Sequence, residues 1–566
     1  MRDDNSSGDE SQTPISSDKG KRQRGRPKKR NSIGGRGHTK VQTQYKLMSW
    51  AQCQTFAPQA LPQVVDNNVQ QPAADTQDHR NWTPLDYFKQ YFDNDMYALI
   101  AEATNQNAVV QTGHSLQTTS EEIRKFFAIN IMMGSLRYPR IRMYWQRSTG
   151  VMAIKQAMRR DRFFKLRTHI KVVVDINVPE DAKQQDKLWK VRPLLDKIRE
   201  TCLKRHRPSN CCVDEQMIPF TGRVAFRQYV RGKPNPTGLK NFVLASPSGE
   251  VLDFEIFQGK GSLTPDAKTP KLSVGGLAVL RLIQTVPANT TLFVDRFFTS
   301  LPLQDILVKK GITITGTIMK KTIPKKAKKV LKSGAELLKE GRGATNQIVR
   351  EDQKVCIVQW FDNKEVLMSS NEFGAVPQDT CKRWSKKDKA YIDVQRPALI
   401  KQYNEKMGGV DLSDRMISFY RICARTKKWT VRTILHMIDL SLANSWVQER
   451  QDRLGEGKTK KELMEFLDFR ISISENLLYE EDISDDEDGN GLNQDDVPGG
   501  EPPAKRIALP PEVARRHRAA HMPRMVDLRN AARCRNPACK TGKSRVMCTT
   551  CKVFLCIHGC FEAFHK

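Results

Sequence analysis

The sequence predicts a multidomain α/β protein, in which a mixed sheet region is flanked by helical stretches and followed by a separate cysteine-rich module. Three observations predict it. Apolar residues recur at helical spacing from Trp82 to about residue 209, and again beyond about residue 421. Between these stretches, from residue 210 to 318, short apolar runs alternate with helical patterns. Six of the thirteen cysteines fall within the last 33 residues.

Charge narrows the partner. The 566 residues carry 94 Lys and Arg against 63 Asp and Glu, a formal net charge of +31. Such an excess points to a polyanion, with nucleic acid as the first expectation. No apolar run approaches the roughly 20 residues of a membrane helix. The first residues are polar and acidic without an apolar stretch of signal-peptide type, so a reducing compartment and no membrane are expected.

Residues 1–80 are rich in Ser, Asp, Gln, Gly and Arg and poor in large apolar side chains, so they are expected to form a disordered basic arm. Within it runs Lys21-Arg22-Gln23-Arg24-Gly25-Arg26-Pro27-Lys28-Lys29-Arg30. Its Arg-Gly-Arg-Pro core resembles an AT-hook, whose narrow backbone lays Arg24 and Arg26 in the minor groove of A·T-rich DNA. The same run reads equally as a nuclear localisation signal, and the nucleus is the expected location.

Order is expected from Trp82. Thr83-Pro84-Leu85-Asp86 offers an N-cap, a proline at the first helical position and an acid in the first turn. A second helix opens at Ser120-Glu121-Glu122 and runs through Ile123, Phe126, Phe127 and Ile131. Residues 81–209 therefore read as helical. From 210 the pattern changes. Cys211–Phe220 is a short strand, and Lys240–Ala245 and Val251–Phe257 are strands joined by the turn Pro247-Ser248-Gly249. A helix, a buried strand from Thr291 to Val294, another helix and a strand from Ile312 to Ile318 follow. Residues 319–394 open on a lysine-rich run and read as an insertion, after which 395–420 return to the sheet domain. Val431, Ile434, Leu435, Ile438 and Leu442 mark an amphipathic helix in 421–478. An acidic flexible linker is expected over 479–520, and a cysteine-rich domain over 521–566.

Four aspartates stand out. Asp214 lies in the first strand, Asp295 ends a buried strand, and Asp411 and Asp414 are spaced to share a helix face behind Gly408-Gly409. Converging carboxylates can hold two divalent metals that activate one oxygen and stabilise another. Singly, each aspartate also reads as a cap or turn residue. Glu215 adjoins Asp214 but points to the opposite strand face, and is left out of the site.

The surrounding motifs are more specific. Val213–Arg223 (VDEQMIPFTGR), Phe226-Arg227-Gln228-Tyr229, Lys233-Pro234-Asn235, Val294–Ser300 (VDRFFTS), Tyr403-Asn404, Gly409-Val410-Asp411 and Lys428-Trp429 resemble, in order, those of piggyBac transposases and the host genes derived from them. The resemblance covers about residues 82–450 and the C-terminal module. It implies an RNase H-like catalytic domain with metal-binding aspartates at Asp214, Asp295 and Asp411, and a further family aspartate at Asp414. Hard carboxylate oxygens suit Mg²⁺ or Mn²⁺. The implied reaction is cut-and-paste transposition of double-stranded DNA: cleavage at transposon ends, hairpin formation, then attack on a TTAA target. The resemblance further implies a homodimer, and that the two helical stretches pack together as one dimerisation and DNA-binding domain split around the sheet. Arg421, Arg425, Lys427 and Lys428 then lie near the active site as DNA contacts.

Cys534, Cys539, Cys548, Cys551, Cys556, Cys560 and His565 give seven ligands with metal spacing, and two closed tetrahedral Zn²⁺ sites need eight. His521 and His558 are both candidates for the eighth, and the resemblance favours His521. Such a module binds transposon-end DNA in piggyBac-like proteins; a protein-contact role is the alternative. Three functions are weighed: a DNA transposase, a domesticated nuclear DNA-binding protein that moves nothing, and a chromatin-interaction protein. The carboxylate motifs favour the first.

Overall fold

The computed structural model describes residues 46–58, 60–61, 78–259, 261–264, 271–423, 425–479, 521–527, 531–539, 542–549, 551 and 553–565. The AT-hook-like Arg24 and Arg26 and nearly all of the acidic linker lie outside the described residues. Among those described, no helix is long and apolar enough to cross a membrane.

A ten-stranded sheet organises the chain. Its strands are Trp50–Gln52 (β1), Asn210–Pro219 (β2), Gln228–Tyr229 (β3), Thr237–Ala245 (β4), Val251–Ile256 (β5), Thr291–Val294 (β6), Thr313–Thr317 (β7), Thr345–Arg350 (β8), Cys356–Phe361 (β9) and Glu365–Ser370 (β10). The order is β1-β8-β9-β10-β7-β6-β2-β4-β3, with β5 also pairing β4. β2, β6 and β7 run parallel, whereas β2–β4 and β4–β5 are antiparallel. β2 is buried along nearly its whole length, as a central strand covered on both faces must be.

Alternate β2 residues face different cores. Cys211 and Val213 join Phe242, Leu292 and Val294 beneath the helices Val274–Leu282 and Leu301–Lys309. Cys212 and Ile218 join Val243 and Phe293 on the other face. That second core is continuous with helices from both flanking stretches, including Phe88, Phe92 and Phe127 from before the sheet and Leu435, Ile438 and Phe469 from after it. The helix Trp429–Gly455 passes through this core, and its Asp439 is tied to the fully buried Arg470 of the helix Phe466–Tyr479 at 3.1 Å. Asp439 also accepts from the Ile422 amide at 2.9 Å, and Arg470 donates to the Tyr420 carbonyl at 2.9 Å. The pair thereby fixes the chain entering the long helix.

Two expectations are corrected. Residues 1–80 are not wholly a disordered arm: β1 pairs with β8, and Trp50 is buried with Leu301, Ile318 and Ile348. A three-residue strand is too short for composition to show, and one tryptophan supplies its anchor. Residues 319–394 are not a body separate from the sheet either, because β8, β9 and β10 extend it through the antiparallel β10–β7 pair. The remainder of that segment carries a separate hairpin, Asp379–Ser385 (β11) with Ala390–Arg396 (β12).

Candidate active site and metal-ligand clusters

Asp214 sits on β2 immediately past the end of β6. The parallel register pairs Val213 with Val294, so Asp214 and Asp295 follow on adjacent strands. Asp295 begins a tight turn in which its Oδ1 accepts from the Phe297 amide at 2.7 Å and its carbonyl from the Thr299 amide at 3.1 Å. The cap reading of this aspartate is thus satisfied by one oxygen, leaving the other for a ligand. Asp411 arrives on the helix Gly409–Phe419, in its first turn, where a negative charge is favoured. Gly409 brings that helix close: a Cβ there would stand 2.1 Å from the Ser246 carbonyl and 2.7 Å from Cys212 Sγ. Gly408, by contrast, has open space around it.

Lys233 joins the pieces. Its Nζ lies 3.6 Å from Asp214 Oδ2 and 3.7 Å from Asp411 Oδ1, so one ammonium is flanked by both carboxylates. Burial pushes the Asp214 carboxyl up to about 7, against the pull of Lys233 and with the negative charges of Glu215 and Asp295 adding to it. Asp295 is raised too, by burial first. Asp414 is half-buried; burial lifts it to about 6 against Arg421 and Lys233, and its Oδ1 is buried without a hydrogen-bond partner. The aspartates gather around Lys233 without closing on a point. Among the described residues, only two groups at the C-terminus gather three or more ligand atoms within 4.8 Å. Acidic oxygens around a single cation, with one buried oxygen unpaired, are a donor set that fits a hard divalent ion.

Glu215 does face the opposite side of β2, as alternation requires, yet its charge is felt by Asp295. It is met there by Lys240, whose Nζ is 3.7 Å from Glu215 Oε2 and 3.9 Å from the centre of the Phe297 ring. Burial lowers the affinity of Lys240 for its proton. Motif reading misses both Lys233 and Lys240. The available signal is Lys233 itself, inside a matched motif with no structural task of its own.

The basic stretch after the helix Gly409–Phe419 divides. Arg421 is half-buried and acts on Asp414. The Arg425 carbonyl accepts from Arg167, and the Lys428 ammonium donates to the Thr168 carbonyl, so both tie the stretch to the helix Arg160–His169. Lys427 is exposed. Trp429 opens the long helix and meets Phe226 edge to face at 5.3 Å.

At the C-terminus, His521, Cys548, Cys551 and His565 form one ligand group and Cys534, Cys539, Cys556 and Cys560 the other. The groups interleave along the chain. His521 Nδ1 lies 3.4 Å from Cys548 Sγ and 3.3 Å from Cys551 Sγ. The amides of Cys551 and Cys556 donate to the sulfurs of Cys548 and Cys534 at 3.4 and 3.3 Å. His558 is exposed and belongs to neither group. None of the thirteen cysteines is in a disulfide.

Known proteins agree with this architecture. Residues 83–446 match a family model described as Transposase IS4. The chain is 35% identical over 372 residues to the human PiggyBac transposable element-derived protein 3, covering 64% of this chain and 60% of that protein. It is 32% identical over 377 residues to the human PiggyBac transposable element-derived protein 2, covering 65% and 62%. The chain thus spans about three fifths of the length of these curated relatives. Its fold is similar to that in a cryo-EM structure of the piggyBac transposase synaptic complex with hairpin DNA, with a TM-score of 0.58 and 21% identity over 84% of this chain and 96% of that one.

Proposed function

The chain belongs to the piggyBac-type transposase family, and on that premise we propose that it cleaves and joins double-stranded DNA in the nucleus by cut-and-paste transposition at TTAA sites. The observation that carries the reading is that Asp214 and Asp295 follow on adjacent strands while Asp214 and Asp411 flank Lys233. The order β5-β4-β2-β6-β7, antiparallel then parallel, supports an RNase H-like catalytic domain. Asp214, Asp295 and Asp411 would hold two Mg²⁺ or Mn²⁺ ions, which supply activation of the attacking oxygen and charge for the leaving one.

The chain's own residues do the positioning. β2 and β6 fix two carboxylates rigidly, and Gly409 sets the third against them. Lys233 balances their charge, and its long stem lets the ammonium turn to a DNA phosphate as the carboxylates engage. Arg421 compensates Asp414 behind them. The two Cys/His groups would each take Zn²⁺ and present a DNA-binding module, with His521 as the eighth ligand. A homodimer is part of this proposal. The names of the human relatives, as element-derived proteins, favour a second reading in which the fold binds DNA but moves none.

One assay separates the two. The full-length protein is incubated with Mn²⁺ and linear duplex carrying the DNA on either side of its gene, cut to include any inverted repeat bordered by TTAA. The proposed activity yields a strand break with a 3′-hydroxyl, followed by a hairpin end. Binding of that duplex without any break would support the second reading and reject the first.

A pH dependence follows from the raised carboxyls. Asp214 at about 7 and Asp414 at about 6 prefer the protonated form in the folded state, compared with an ordinary value of 3.8. Their contribution to stability is full below about pH 4 and is lost as pH rises through 6 to 7. A divalent cation needs the ionised carboxylates and so restores what ionisation removes. Protein dialysed free of Mg²⁺ is expected to gain more in Tm from added Mg²⁺ at about pH 8 than at about pH 5. Equal gains at both would place the ion elsewhere.

A further inference from the structure

The β11–β12 hairpin has two unlike faces. Cys381, Ile392 and Val394 turn inward against Val358, Trp360 and Val366. The outward face carries Trp384 and Tyr391, which are direct cross-strand partners. Their exposures are 49% and 70%, and their rings meet edge to face at 5.3 Å. Paired across the strands, they form one contiguous aromatic patch, unlike a lone exposed side chain. The turn between the strands holds Lys386, Lys387 and Lys389, all exposed. Its one acid, Asp388, accepts a hydrogen bond from the Ser385 hydroxyl at 2.6 Å.

This face is held firmly. Arg342 and Arg383 both grip Asp362, at 2.6 and 3.1 Å, and Arg342 also donates to the Trp384 carbonyl at 3.0 Å. The Trp360 indole donates to the Gln395 carbonyl at 2.8 Å, and Arg396 pairs with Asp379 at 2.6 Å across the base of the hairpin. The arginines are therefore committed to anchoring the hairpin, while the lysines of the tip stand in solvent around the capping Asp388.

We propose that the outward face of this hairpin is a second DNA-contact site, where Trp384 and Tyr391 stack an unpaired base while Lys386, Lys387 and Lys389 hold the neighbouring phosphates. The proposal rests on the reading that the protein acts on DNA. Charge selects the polyanion, since three lysines beside an exposed aromatic pair suit phosphates flanking a base. Ring exposure selects the unpaired state, because a paired and stacked base offers no free face to an aromatic side chain. Stacking of this kind tolerates any base. DNA opened during end cleavage would supply such bases to residues other than the aspartates.

The test measures affinity for a labelled duplex containing a short unpaired bubble and for a fully paired duplex of equal length. Trp384→Ala with Tyr391→Ala is expected to weaken bubble binding about tenfold and leave duplex binding nearly unchanged. Trp384→Phe with Tyr391→Phe, which keeps both ring faces, should retain bubble binding. Replacing Lys386, Lys387 and Lys389 with Gln should weaken binding of both DNAs. It should also flatten the salt dependence, by about 0.7–0.9 in slope for each phosphate no longer neutralised. Bubble binding unchanged in the alanine pair, or equal weakening on both DNAs, overturns the stacking site while DNA action stands. Failure of the unaltered protein to bind either DNA overturns the DNA reading itself.

Discussion

Replacing Asp214 or Asp295 with Asn is expected to abolish strand cleavage while DNA binding and folding persist. The amide keeps the shape of the carboxylate but withdraws the negative charge that a divalent ion needs. Losing one such electrostatic element in a preorganised site costs roughly a hundredfold to a thousandfold in rate, and a missing metal ligand stands at the upper end or beyond. Stability should move the other way. Asp214 is 8% exposed, and burial is the main cause of its raised carboxyl, so its ionised form strains the fold at neutral pH. Asn at that position removes the strain, and its Tm near pH 8 should equal or exceed that of the unaltered protein in Mg²⁺-free buffer. Cleavage in Mn²⁺, binding to the same duplex and thermal unfolding are measured on one preparation. Normal cleavage by either Asn variant would sink the carboxylate mechanism. Abolished cleavage accompanied by a lower Tm would instead assign the aspartate a structural role.

The legible parts of this molecule are those in which one residue type at one spacing has few physical meanings. A buried apolar run ending in Asp295 predicts a strand from Thr291 to Val294, and β6 occupies that range. Asp411 and Asp414 at a spacing of three share a face if the segment is helical, and both lie on the helix Gly409–Phe419. The split between the two ligand groups is not legible, because interleaved cysteines at these spacings permit many pairings. What stays hidden depends on distant partners. Trp50 is ordered by side chains around residues 300–357, which no local pattern around it announces. The membership of β9 and β10 in the main sheet is a matter of strand pairing that sequence period does not encode. Lys428 is expected as a DNA contact, and its tie to a carbonyl 260 residues away is not announced by the sequence around it. Lys233 acquires meaning only once Asp214 and Asp411 flank it.

Removing metal from the C-terminal module is expected to unfold it while leaving the sheet and helices intact. The module has little else to hold it. Its buried cluster is Cys534, Cys548, Cys551, Val553, Leu555 and Phe564, and the three cysteines among them belong to the two candidate ligand groups. Its strands are two or three residues long, and its helix, Cys560–His565, supplies a ligand at each end. Zinc in sites of this type contributes on the order of 10–16 kcal/mol to folding near pH 7, far more than such a core can. Because the ligand groups interleave, the loss of either ion should release segments that the other needs. Cys548→Ser and Cys534→Ser should therefore each make residues 521–565 sensitive to limited proteolysis, with the core transition unmoved. The histidines provide the sharper comparison. His521→Ala should lower the bound zinc measured by metal analysis, and His558→Ala should leave it at two ions per chain, since His521 stands beside Cys548 and Cys551 while His558 faces solvent. Equal zinc loss in both variants would mean that the ligand set is not the one drawn by the fold. Retention of protease resistance after complete chelation would mean that the module folds without metal, and that its cysteines serve some other chemistry.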